Sequence, residues 1–137
     1  FRFLFISCRL SRATLFSWSA SSEVYKRQEL GWNCQLRAAA QGHSGDMAKN
    51  NFFDHTGSDG LSVSDRVTAS GYSWSNVGEN IAAGQSSIAQ VMVGWLDSPG
   101  HCRNIMSSSF AEFGSALVTN NESDYPTYWT QVFARAR

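Results

Sequence analysis

No apolar run in the 137 residues approaches the roughly 18–20 residues that a helical membrane span needs, so no such span is expected. There is no basic stripe either: 11 Lys and Arg balance 11 Asp and Glu, for a formal net charge of zero. That balance averages two unlike pieces. Residues 1–28 hold five basic groups against one acid, and residues 29–137 hold the other six against ten acids. A mildly acidic body argues against nucleic acid as a partner. No Gly-x-Ser-x-Gly elbow and no His-Glu-x-x-His signature occurs, so neither an α/β-hydrolase nucleophile nor a helix-borne zinc pair is announced. Cysteine is scarce, at three, and proline scarcer, at two. The length is too short for two ordinary domains. It suffices for one core, with roughly two thirds of the unfolded surface buried.

The first 28 residues read unlike the rest. Phe3 to Ile6 is apolar, but Arg9 and Arg12 interrupt it before a signal-peptide core can form. Residues 17–22 are low in complexity, and no Met begins the chain. Residues 1–28 are therefore expected to be a non-native or disordered lead, and a degraded secretion signal is the alternative. The domain is assigned to 29–137.

From Glu29 the pattern is orderly. Leu36, Ala39, Ala40, His43 and Met47 recur at three- and four-residue steps, which predicts a helix over about 33–50. Ser62 and Asp65 have capping-box spacing, so a short helix should run to about Ser70 and stop at Gly71. Val77 to Ala82 reads as a strand. Ser86 or Ser87 caps a helix with Ile88, Val91, Met92, Trp95 and Leu96 on its apolar face, and Ser98-Pro99-Gly100 breaks it. Phe113 to Thr119 and Tyr128 to Ala134 are β-rich runs separated by a long polar loop. Helices and strands mix without a βαβ repeat, which favours an α+β layered sandwich.

Only three histidines can do chemistry. His43 lies on the apolar face of the first helix and reads as a packed, hydrogen-bonded core group. His55 and His101 lie at element boundaries. Glu79 sits inside an otherwise apolar strand, where a carboxylate is costly unless it faces a cleft or a partner. Two boundary histidines and one strand carboxylate suit either a divalent-metal site or an acid–base site.

Five ordered motifs then carry a resemblance. They are His43-Ser44-x-Asp46-Met47-Ala48, Asn51-Phe52-Phe53-x-His55, Gly78-Glu79-Asn80-Ile81-Ala82, Gly94-Trp95-x-x-Ser98-Pro99-Gly100-His101, and Tyr128-Trp129-Thr130-Gln131-Val132-Phe133. Together they resemble the CAP superfamily of cysteine-rich secretory, antigen 5 and pathogenesis-related 1 proteins, in its bacterial secreted branch. The resemblance implies a three-layer α-β-α sandwich with a twisted, mainly antiparallel sheet, here expected to lack the family's first helix. It implies a cleft with two histidines and acidic partners, able in some members to bind zinc or another divalent cation. His55 and Glu79 carry over directly. For the second histidine, His101 of Ser-Pro-Gly-His matches the bacterial pattern, while the position before Trp129-Thr130-Gln131 is Tyr128. The family's second glutamate has no clear counterpart, and Asp97 is the nearest carboxylate.

The resemblance thus names His55, His101 and Glu79 as candidate metal or acid–base residues. Asp97, Ser98, Tyr72, Trp74, Tyr128 and Gln131 are expected to line the cleft. Three cysteines allow three single bridges. The favoured one is Cys34–Cys102, since both flank cleft-forming segments and the body alone then has an even count; two buried free thiols are the alternative. A bridge implies an extracellular or periplasmic location. The leading function is a secreted, monomeric binding module for a lipid, glycan or protein partner. A metal-dependent or general-base hydrolase using the same cleft, and a structural envelope protein with a vestigial cleft, are the alternatives.

Overall fold

The computed structural model of the chain describes residues 29–137, so the expected lead over 1–28 lies outside the described residues. The elements run β1 (Gly31–Trp32), α1 (Cys34–Asn50), α2 (Val63–Ala69), β2 (Trp74–Ala83), α3 (Ile88–Asp97), α4 (Pro99–Met106), β3 (Glu112–Thr119) and β4 (Thr127–Ala136). The sheet order is β1-β3-β4-β2. β1 is parallel to β3 and the other pairs are antiparallel, which puts β2 at one end of the described sheet.

The helix-capping signals have their structural counterparts. The Asn33 side chain accepts from the Gln35 and Leu36 amides to start α1, which stops at Asn51 in the left-handed region, φ 53°. Its buried residues Leu36, Ala39, Ala40, His43, Ser44, Met47 and Ala48 form one stripe. Ser62 and Asp65 close a reciprocal capping box on α2, and Gly71 follows at φ +86°.

Side chains alternate across the sheet. Tyr128, Val132 and Ala134 of β4 pack with α1 and α2, and Thr130 accepts a hydrogen bond from Ser44 of α1 at 2.8 Å. Trp129 packs instead with Val91 and Trp95 of α3, while Phe133 stacks on Phe110. Helices therefore cover both faces of an α-β-α sandwich. α1 approaches β3 so closely that a Cβ on Gly114 would lie 2.1 Å from the Arg37 backbone nitrogen.

Four expectations need correction. Pro99 does not simply end the preceding helix: it opens α4, because its missing N–H and fixed φ suit a first helical turn. Ile88 is 70% exposed, so the apolar face of α3 narrows to Val91 and Trp95, with Met92 and Leu96 half-buried. A two-residue strand, β1, precedes α1 unannounced. The expected Cys34–Cys102 bridge does not form, since Cys34 is exposed and its thiol free. The reason is topological. Asn33, next to Cys34, is bonded to Glu112 on β3, whereas Cys102 is buried in α4 beside β2, on the far edge of the sheet.

Candidate functional site

Glu79 projects from β2 toward the α1–α2 side, and its side chain is only 2% exposed. A carboxylate so buried must find charged or donating partners. One oxygen accepts from Nδ1 of His55 at 2.7 Å, and the other accepts from the Arg66 guanidinium, also at 2.7 Å. Arg66, on α2, further donates to the backbone carbonyls of His55 at 3.0 Å and Leu61 at 2.8 Å. Since a carboxylate only accepts, Nδ1 of His55 carries its proton. In the neutral ring Nε2 then holds the free lone pair. The His55 side chain is 57% exposed, so that second nitrogen belongs to the solvent-reachable end. The hydrogen bond to Glu79 raises the His55 pKa above its ordinary value.

His43 lies behind this pair, as the helical stripe predicted. It is fully buried, and its Nε2 donates to the Asp54 carbonyl at 2.9 Å. That nitrogen is 3.9 Å from Glu79 Oε1, too far for a hydrogen bond. Burial pushes the His43 pKa down, so at neutral pH it is an uncharged core residue.

His101 sits in the first turn of α4. Side chains from α3 and α4 satisfy the outer edge of β2 and so fix its place. Asn104 donates to the Glu79 carbonyl and to Asn80 Oδ1, Trp95 Nε1 donates to the Ile81 carbonyl, and Asn80 donates to the His101 carbonyl. These bonds close an edge that would otherwise pair with another strand. His101 makes no hydrogen bond to His55 or Glu79, and its buried Nδ1 has no partner among the described residues. Burial lowers its pKa, and the charge on His55 lowers it further. Beside it opens a cavity of about 280 Å³, whose lining includes Phe53, Val91, Trp95, Ser98, His101 and Tyr125. Phe53 and Tyr125 also contact each other, with ring centroids 6.2 Å apart.

The other expected lining residues divide. Ser98 lines the cavity, whereas Asp97 is exposed at the end of α3. Tyr72 and Trp74 line a separate hollow with Thr68 and Arg137. Tyr72 donates a very short hydrogen bond to Glu112, and burial followed by that bond pushes its pKa up. Tyr128 is fully buried on the α1 side, and Gln131 lies in the sheet interior. Sequence reading missed Arg66, Phe53 and Tyr125. Arg66 carried a usable signal: it is the only Lys or Arg between Lys49 and Arg103, and so the one nearby cation in sequence for a buried Glu79.

As three direct ligands, His55, Glu79 and His101 do not fit a metal. Both Glu79 oxygens are engaged, one by a guanidinium that would repel a second cation. Among the described residues, no group of three or more His, Cys, Asp or Glu is disposed to hold a metal ion.

A three-layer sandwich with a histidine–glutamate pair at the β2 edge of its sheet defines a CAP-type domain. A family model for the cysteine-rich secretory protein (CAP) family matches residues 24–133, and the chain belongs to that family. It is 35% identical over 98 residues, 72% of its length, to the uncharacterised Bacillus subtilis protein YkwD. It is 33% identical over 107 residues to the uncharacterised B. subtilis membrane protein YlbC. It spans only about a third of these curated relatives, 36% and 29% of their lengths. The crystal structure of an extracellular protein containing an SCP domain from Bacillus anthracis superposes with a TM-score of 0.68 at 34% identity, covering 77% of this chain and 33% of that one. An outer surface protein from Borrelia burgdorferi shares the fold at a TM-score of 0.71 and 19% identity, covering 79% of this chain and 78% of that one. Among the described residues, no helix is long and apolar enough to cross a membrane.

Proposed function

We propose that this domain works outside the cytoplasm as a binding module, taking an anionic amphiphile in the cleft beside β2. The observation that carries the reading is one imidazole gripped at Nδ1 by Glu79, on the loop that also brings Phe53 to a largely apolar cavity. With His55 protonated, the Arg66–Glu79–His55 group carries a net positive charge, which suits an acidic head; Val91, Trp95, Phe53 and Tyr125 suit an aliphatic tail. The extracellular and outer-surface descriptions of the B. anthracis and B. burgdorferi proteins support the location. Among the described residues, no hydroxyl or thiol is hydrogen-bonded to His55, so the reading routes no nucleophilic step through it.

Gly94 provides the test. It lines the cavity, and a Cβ there would meet nothing within 4 Å. Gly94→Leu should abolish decanoate uptake, read by tryptophan fluorescence, while stabilising α3 by roughly 0.5–1 kcal/mol through lost glycine freedom. Saturable uptake unchanged in that variant would refute the reading. A second reading rests on the same imidazole: a histidine whose Nδ1–H is held by a carboxylate is oriented for a divalent cation at Nε2. Zinc titration of the wild type and of His55→Ala tests it, and equal binding by the two would reject it.

A further inference from the structure

We propose that Arg66 is the positioning residue that decides which histidine Glu79 serves. The inference rests on the reading that His55 Nε2 is the atom this cleft offers. Glu79 Oε1 lies beside two imidazoles: it is bonded to His55 Nδ1 at 2.7 Å and stands 3.9 Å from His43 Nε2, which now donates to the Asp54 carbonyl and which a turn of the carboxylate would bring within reach. Nothing in the length of the Glu79 side chain chooses between them. Arg66 does, because one guanidinium nitrogen, Nη2, donates both to Glu79 Oε2 at 2.7 Å and to the His55 carbonyl at 3.0 Å. The carboxylate and the backbone of the residue it supports are thereby tied to one atom. Nη1, bonded to Leu61 at 2.8 Å, fixes the plane of the fork from the other end of the loop. The side chain is 11% exposed, so water competes weakly for these bonds.

The clamp has a chemical result. With Oε2 held, Oε1 is presented to His55, Nδ1 keeps the proton, and the lone pair of the neutral ring stays on Nε2. Released from Arg66, Glu79 can rotate toward His43, and His55 reverts to the Nε2–H tautomer that an unsupported imidazole prefers. A lysine cannot substitute, since its single nitrogen lacks the planar two-ended geometry.

The test needs no ligand. Long-range proton–nitrogen NMR on the ¹⁵N-labelled full chain, at a pH where His55 is neutral, reads the tautomer of each ring. The expected result is Nδ1–H for His55 in the wild type and predominantly Nε2–H in Arg66→Gln, with His43 keeping its own Nε2–H. Arg66→Lys should give a mixture. A His55 that stays wholly Nδ1–H in Arg66→Gln overturns the proposal. If that variant does not fold, Arg66→Lys is read in its place, and an unchanged His55 there overturns it equally. Decanoate uptake by the wild type is a separate measurement, so loss of the binding reading and loss of this inference are told apart.

Discussion

Replacing Glu79 by glutamine changes one oxygen to an amide nitrogen at a site where both positions now accept hydrogen bonds. Turned toward Arg66, the new NH₂ meets a donor; turned toward His55, it is accommodated only if the ring moves its proton to Nε2. The larger cost is electrostatic. Arg66 is nearly buried and would keep only two carbonyls, of His55 and Leu61, for its charge. Breaking a buried pair by removing one partner typically costs about 3–5 kcal/mol, and the surviving carbonyl bonds put this case near the lower end, at about 3 kcal/mol. For a domain of this size that corresponds to a melting-point drop of about 10–20 °C. Urea unfolding at neutral pH would show it as a lowered midpoint with unchanged slope. Adding Arg66→Met removes the stranded guanidinium, so the double variant should recover about 2 kcal/mol, a coupling that a double-mutant cycle isolates. A loss under about 1 kcal/mol for Glu79→Gln, or strictly additive losses in the cycle, would show that the pair is not the buried, mutually dependent unit described above.

Three further outcomes are expected. Gly114→Ala should cost about 3 kcal/mol or more, because the new methyl meets the α1 backbone at Arg37 and Leu36 rather than a flexible side-chain end; equilibrium unfolding measures it. Cys34 should react with a thiol reagent in the native protein, and Cys34→Ser should leave stability within about 0.5 kcal/mol, since Cys34 bridges nothing. NMR titration should place His55 above the ordinary value of 6.5 and His43 and His101 below it. The stabilising pairing of His55 with Glu79 is then fully present below pH 6.5 and fades as pH rises through its folded pKa. The neutral His43 contributes above pH 6.5 and is lost as pH falls through its folded pKa.

The sequence was most legible where a local rule and the global fold agree. Leu36 to Ala48 repeats at the helical period because one face of α1 truly lies on the sheet, and Ser62 with Asp65 reads as a cap because both halves of the reciprocal bond form. Glu79 stood out for a physical reason: a carboxylate among apolar strand residues demands a partner, and His55 is one. The second partner was overlooked because Arg66 belongs to a short helix whose own pattern says nothing about β2. Pro99 misled because the same ring that ends one helix can begin the next. The cysteine pairing failed because proximity to the cleft was inferred from motif order, and motif order does not report which edge of a sheet a helix end lies against. Tyr72 and Trp74 follow a glycine turn that leads into a different hollow, a path set by the start of β2 rather than by any residue type.

His55 Nε2 is where the ligand's polar end should arrive. Titrating the ¹⁵N-histidine-labelled protein with decanoate reads that directly. The expected result is a saturable shift of the His55 Nε2 resonance, with His43 unmoved. Saturable uptake that leaves His55 unshifted, or no uptake at all, would contradict it.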